Sequence, residues 1–257
     1  MSGDPRDLLV LIERDGPIAT LTLNRAERHN SLVPELLAEL LFALEAVAAD
    51  DSVRVVVLAA AGRSFSTGGD VRAFYEQGDN VAAYAAETVG RLNEVIVAMM
   101  SLPQPIVVAV RGMVTGGSLG LVLGADVVLV SPEATFTPWY NVVGFSPDGG
   151  WTAMLPAVIG QQRAADLLLT NGTITAEEAV AWGMASELVA VDDIEARSAE
   201  LAGLIAGMQP GAVRHSKVLL RSDIAEIAAC LEEERRHFVE QIVTAEAREG
   251  MARFLGG

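Results

Sequence analysis

The stretch VTGGSLGLVLGAD, Val114 to Asp126, admits two readings, and the choice between them decides the fold. Its pentad Gly116-Gly117-Ser118-Leu119-Gly120 is a literal G-x-S-x-G. In a hydrolase, that pattern puts a nucleophilic serine on a tight turn directly after a strand. Here Arg111 to Thr115 separate the expected strand Ile106 to Val110 from the pentad. A triad would need Asp148 with His215 or His237. Both histidines fall in a stretch that reads as helical, and the Glu232 to His237 run reads as a solvated helix face. No HGGG-type segment lies upstream. A serine hydrolase using Ser118 is the disfavoured alternative. The second reading leaves the glycines as backbone. Glycines ahead of an apolar helix leave N–H groups unpaired and let a ligand come close, and the helix dipole adds positive potential there. A second glycine loop, Phe65-Ser66-Thr67-Gly68-Gly69-Asp70, follows the expected strand Val53 to Ala59. Two N–H groups aimed at one oxygen form an oxyanion hole.

On either side of this stretch, apolar segments alternate with turn signals. Leu8 to Glu13 and Ile18 to Leu23, split by Asp15-Gly16-Pro17, read as a hairpin. Pro34 opens a helix whose buried stripe is Leu37, Leu40, Leu41, Leu44 and Val47. Val81 to Met100 has helical period and ends at Pro103 and Pro105. Val127 to Val130 reads as another strand, and the glycine stretch itself as a short helix to about Gly124. Strands and helices alternate to about residue 190, which argues an α/β fold. From Ile194 onward the pattern is helical, with Pro210-Gly211 between two helices and a long charged helix across Glu226 to Glu246. The expected division is a core over 1–192 and a helical region over 193–257.

Composition narrows the function classes. The chain has 257 residues, 51% of them hydrophobic, and a formal net charge of −16. So acidic a surface repels nucleic acid and anionic membranes. Residues MSGDPRD lack the order of a signal peptide, and no apolar run reaches the roughly 18 residues of a membrane span. One cysteine, Cys230, allows no internal disulfide and fits a reducing compartment. Three histidines and one cysteine make a zinc cluster improbable. The expectation is a cytoplasmic protein with no metal.

The chain resembles the crotonase family, the enoyl-CoA hydratase/isomerase superfamily. The resemblance rests on Leu21 to Arg25 with Asn30-Ser31-Leu32, Val53 to Leu58, Phe65 to Asp70, and Gly112 with Thr115 to Ser118. It continues through Ala125-Asp126, Ser131 to Phe136, Gly144 to Gly150, Ala179 to Gly183, Lys217 and Glu249-Gly250-Met251. It implies a crotonase-like α/β fold, repeated ββα units in a spiral core with a C-terminal helical oligomerisation region. It also implies an acyl-CoA thioester substrate, with coenzyme A part of that substrate and no separate cofactor, and a homotrimer or a hexamer of paired trimers. The apolar spacing of Ile224, Ile227, Ala228 and Leu231 agrees with such an oligomerisation region.

By position the resemblance implies Gly69 and Gly117 as the oxyanion donors, with Thr67, Gly68 and Gly116 beside them as substrate-binding residues. The CoA end is expected near Arg28, Asn30, Ser31 and Leu32, where Arg25, Arg28, His29 and Arg63 supply positive charge. Relatives that continue past the Glu-Gly-Met segment carry a basic stretch that helps enclose CoA. This chain ends at Phe254-Leu255-Gly256-Gly257, and Lys217 is left between facing CoA and facing solvent. The two hydratase glutamates correspond to Gly120 and Tyr140, so the carboxylate pair for adding water is missing.

One carboxylate remains, Asp148, at a position resembling the acid/base of enoyl-CoA isomerases of this family. The surrounding Trp139, Tyr140, Phe145 and Trp151 are expected to raise its pKa by desolvation. The other role open to it is capping a helix that begins near Gly150. Tyr140 is expected to line the acyl pocket or bond an intermediate. The resulting expectation is an enoyl-CoA isomerase with Asp148, Gly69, Gly117 and Tyr140 at its centre. The alternatives are a hydratase without the glutamate pair and a non-catalytic acyl-CoA-binding protein. A dehalogenase-type nucleophilic role for Asp148 would need a histidine where the chain has Asn93.

Overall fold

In the computed structural model, which describes residues 8–221 and 223–256, the chain opens with an antiparallel hairpin. Strand β1 (Val10–Asp15) and strand β2 (Ile18–Leu23) are joined at Gly16. Helix α1 (Pro34–Ala48) starts at its proline, as read, and buries Leu36, Leu37, Leu40, Ala43, Leu44 and Val47. Strand β3 (Val55–Ala60), helix α2 (Val71–Glu76), helix α3 (Val81–Ser101) and strand β4 (Ile106–Val110) follow.

Strand β5 (Met113–Thr115) then leads into a 3-10 turn, Gly116–Ser118, and helix α4 (Leu119–Leu123). Next come β6 (Val127–Val130), β7 (Thr135–Thr137), α5 (Tyr140–Val143), α6 (Leu155–Ile159), α7 (Gln161–Thr170), β8 (Ile174–Thr175), α8 (Ala176–Ala181) and β9 (Glu187–Leu188). The last segment is helical, as expected: α9 (Ile194–Ala206), α10 (Pro210–Leu220), α11 (Ile224–Ile242) and α12 (Ala245–Gly256). Pro210 and Gly211 lie in the first turn of α10 rather than between two helices. Residues 1–7 and Gly257, part of the reading of the two ends, lie outside the described residues.

The main sheet runs β1-β2-β3-β4-β6-β9, parallel from β2 onward, and a small second sheet runs β5-β7-β8. The repeat is strand, second strand, helix: β4-β5-α4 and β6-β7-α5 each put one strand in either sheet. This is the spiral of ββα units expected for a crotonase-like fold.

The apolar runs of β3 and β4 follow from burial on both faces. Val56, Leu58, Ile106 and Val108 face the large core shared with α1 and α3. Val55, Val57, Val107 and Ala109 face a second cluster closed by Ile194, Ala202 and Ala206 of α9. Leu231, Phe238 and Ile242 of α11 belong to the large core, so this C-terminal helix packs on the sheet-bearing region it follows.

Among the described residues no helix is long and apolar enough to cross a membrane, and no group of three or more His, Cys, Asp or Glu is placed to hold a metal.

Candidate active site

Three glycine-bearing segments meet at one point because their backbones touch. Ser66 bridges Val114 and Leu32 bridges Gly69 in parallel fashion. A Cβ at Gly68 would lie 2.5 Å from the Thr115 carbonyl oxygen, so only glycine fits there, and its φ of +70° also favours glycine. The third segment is the turn after α5. A Cβ at Gly149 would lie 2.4 Å from Gly117 Cα. The backbone of residue 149 therefore rests directly on residue 117, and Asp148 is delivered beside Gly117.

The pentad does follow a strand directly. Met113–Thr115 is β5, so the separation expected from the sequence is not there: that strand is only three residues long and pairs with β7, remote in the chain. The elbow reading fails on the serine itself. Ser118 is fully buried, and the single proton of its hydroxyl lies between the carbonyls of Ser66 at 3.0 Å and Thr115 at 2.7 Å. Its role is to fasten one glycine loop to the other.

Gly69 and Gly117 line the same cavity. Neither amide is used in a turn or cap hydrogen bond among the described residues. Each glycine is pressed against an apolar side chain. A Cβ at Gly69 would lie 2.7 Å from a ring carbon of Phe74, and one at Gly117 would lie 2.7 Å from Leu92 Cδ2.

Asp148 is buried beside this pair, its Oδ2 2.9 Å from where a Cβ of residue 117 would stand. The Tyr140 hydroxyl donates its proton to Asp148 Oδ1 at 2.6 Å and lies 2.9 Å from the Asp148 carbonyl oxygen. Oδ2 is left as the basic oxygen. Burial pushes the Asp148 carboxyl up to about 7. The Tyr140 hydrogen bond opposes that shift, and the charge of Glu234 adds to it. Burial first, and then the Asp148 charge, holds the Tyr140 phenol well above its usual range, so it remains a donor. The capping alternative for Asp148 fails, because the next helix, α6, starts only at Leu155.

Of the expected aromatic surroundings, Tyr140 and Trp151 pack edge to face at 6.4 Å. The Trp151 indole donates to the Gly116 carbonyl at 2.8 Å and ties the Asp148 turn to the oxyanion loop. Phe145 joins Phe74 and Phe238 in an apolar wall. Trp139, with φ 62°, is partly exposed, meets Phe254 of α12 and with it lines the cavity.

The cavity holds about 540 Å³ and takes in Arg28, Ser31, Leu32, Thr67 and Gly116 from the residues expected at the substrate. Asn30 and Gly68 do not line it. The Asn30 side chain is fully buried and consumed by the backbone: it accepts from Arg25 N and donates to the carbonyls of Ala61 and Ser64. It shapes the loop and leaves contact to its neighbours.

The basic cluster is partly neutralised. Arg25 and Arg28 both bond Asp70, at 3.0 and 3.1 Å. Burial acts to raise the Asp70 pKa, but the Ala73 amide and the two arginines outweigh it and hold it low. Arg63 contacts His29 Nε2 at 3.1 Å. Lys217 faces neither CoA nor solvent. It is buried, with Nζ 2.8 Å from Asp126 and bonded to the carbonyls of Met99 and Gln104. At the other end of the chain, Phe254 and Leu255 do reach the cavity, so α12 forms part of its wall.

Sequence reasoning missed Glu234. The Glu232 to His237 run reads as solvated, yet Glu234 is only 5% exposed. The available signal was spacing: Leu231, Glu234, Phe238 and Ile242 fall on one helical stripe and are all buried.

With this geometry in hand, comparison with known proteins is direct. The enoyl-CoA hydratase/isomerase family model matches residues 13–256. The 1,2-epoxyphenylacetyl-CoA isomerase of Escherichia coli is 32% identical, covering 93% of this chain and 92% of that protein. A 4-chlorobenzoyl coenzyme A dehalogenase of Arthrobacter is 29% identical, covering 95% of this chain and 90% of that protein. A solved enoyl-CoA hydratase/isomerase from Pseudoalteromonas atlantica superposes with a TM-score of 0.86 at 31% identity, covering 97% of both chains.

Proposed function

Since the chain belongs to the enoyl-CoA hydratase/isomerase family, we propose that this acyl-CoA enzyme is an isomerase with Asp148 as its single acid/base. The reading is supported by one observation: the buried Asp148 carboxylate lies against Gly117, the residue whose amide the family likeness implies as second donor to the thioester oxygen. The amides of Gly69 and Gly117 would receive that oxygen. Asp148 Oδ2 takes a proton from C2 of a 3-enoyl thioester, and the electron pair moves into the thioester carbonyl as an enolate held by the two amides. Return of the proton to C4 moves the double bond to C2–C3. Oxyanion donors of this kind contribute about 10²–10³ in rate.

Hydration is disfavoured on steric grounds as well as by residue type. A Cβ at Gly120 would stand 2.8 Å from the Gly149 carbonyl oxygen and 2.3 Å from Ile96 Cδ1. The same close approach that delivers Asp148 leaves no room for a glutamate at that position. Tyr140 fills the other one and bonds Asp148. The dehalogenase reading lacks its base. Asn93 donates to the Leu231 carbonyl at 2.9 Å and does not line the cavity. The cavity's histidine, His29, bonds Ser64 and contacts Arg63.

The test is an assay of purified protein against 3-enoyl-CoA and trans-2-enoyl-CoA thioesters of several lengths. The expected result is isomerisation without formation of 3-hydroxyacyl-CoA. Hydration at ordinary enzyme rates would overturn the reading. Absence of turnover with detectable thioester binding would favour the non-catalytic alternative.

A further inference from the structure

Glu234 sits on α11, far along the chain from Asp148, yet it holds the turn that carries Asp148. Its Oε2 accepts from Gly150 N at 2.8 Å. Its Oε1 accepts from Thr152 N at 2.8 Å, the Thr152 hydroxyl at 2.6 Å and Ala153 N at 2.9 Å. A carboxylate receiving four donors while 5% exposed is the main polar anchor of a segment that forms no helix until Leu155. Gly150 has φ +89°, so the chain reverses just after Asp148 in a conformation most residues avoid. Something must hold that reversal in place, and three amides converge on Glu234 from it.

No cation neutralises Glu234 among the described residues. Arg235 is taken up by Glu232, and Arg236 by Glu233 and Glu240. His237 is exposed and lies against Glu233. Of the elements around Asp148, α5 brings Tyr140, α3 brings the apolar Leu92, and the oxyanion loop brings Gly117. Among the described residues Glu234 is the carboxylate whose charge acts on Asp148, and it does not line the cavity.

We propose that Glu234 is a positioning residue for the reaction: it fixes the Asp148 turn over Gly117 and sets its own negative charge against that turn. This inference rests on the acid/base reading of Asp148. The two effects reinforce each other. Burial raises the Glu234 carboxyl while its four hydrogen bonds lower it, and the ionised form puts a like charge near Asp148, where burial is already the leading cause of the raised pKa. Like charges in one buried site push a carboxyl upward.

The experiment follows the Asp148 carboxyl by ¹³C NMR in the full-length, ligand-free protein, assigned by comparison with Asp148→Asn, in parallel with the pH dependence of kcat. In Glu234→Gln the midpoint of Asp148 and the acid limb of kcat should both fall by about half a unit or more, with kcat reduced and the melting transition still cooperative. An unmoved Asp148 midpoint in folded Glu234→Gln overturns the proposal, whatever happens to kcat. If Glu234→Gln does not fold, Thr152→Val removes a single one of the four hydrogen bonds. It should lower kcat with little change in KM, and unchanged kcat in that variant overturns the positioning role. A moved midpoint in a protein whose Asp148→Asn variant turns over normally keeps Glu234's hold on Asp148 and discards the acid/base reading instead.

Discussion

Tyr140 and Asp148 lie eight residues apart, and the bond between them sets the chemistry of the site. Tyr140 donates to the ionised form of Asp148 at 2.6 Å, so it lowers a pKa that burial has raised. A bond to the charged form favours that form, and its loss lets the pKa rise further. On the proposed reading Asp148 is a base only when ionised, so turnover should rise with pH through about 7 in the native enzyme. Tyr140→Phe should move this acid limb upward by about one unit. The variant should therefore lose several-fold in kcat at neutral pH and recover at alkaline pH. A pH–rate profile checks this, and an acid limb that stays put or moves down would contradict the role given to Tyr140. The predicted shift is opposite in sign to that for Glu234→Gln, so the two variants bracket the native value. At this scale the sequence was partly legible. Asp148, Gly69 and Gly117 stand out by residue type and register. Asn30 and Lys217 were misjudged because a polar side chain's partners are backbone carbonyls that no sequence pattern displays.

The elements that carry long apolar periods were legible, and the short ones were not. Helices α1 and α3 and strands β2, β3 and β4 announce themselves by hydrophobic repeats. Strands β5, β8 and β9 span two or three residues and exist only through partners remote in the chain. The missed β5 matters most, because it makes the pentad look detached from any strand. Helix α10 is legible as a helix but not in its attachment, which comes from the buried Lys217 paired with the partly buried Asp126 and from Arg221, bonded to the carbonyls of Leu123 and Ala125. Burial lowers the Lys217 pKa and Asp126 supports it against that. Removing one partner of a buried pair leaves the other charge uncompensated. Asp126→Ala should therefore destabilise the chain by on the order of 3 kcal/mol. It also frees the Ile106 amide, which now donates to Asp126 at 2.8 Å. Urea denaturation checks this, and a loss below about 1 kcal/mol would place the attachment of α10 elsewhere.

At the scale of the molecule, two sheets joined by ββα units bring residues 65–70, 113–120 and 140–153 to one cavity. The chain carries a net charge of −16, yet Arg28 lines that cavity. The general plan was readable because alternating apolar runs specify layers. The convergence was not, because it depends on glycine backbones packing on one another. At the far end of α10, Val218, Leu219 and Leu220 are exposed. The trimer or hexamer implied by the family likeness would need such an apolar surface. On the proposed reading one carboxylate, Asp148, carries the proton while two backbone amides hold the enolate. The most direct measurement compares native protein with Asp148→Asn on a 3-enoyl-CoA substrate, with products separated and quantified. The account predicts 2-enoyl-CoA from the native protein, with no hydrated product, and a loss of about 10²–10⁴ in rate for the variant with substrate binding retained. Equal turnover by the two proteins, or 3-hydroxyacyl-CoA as the main product, would contradict it.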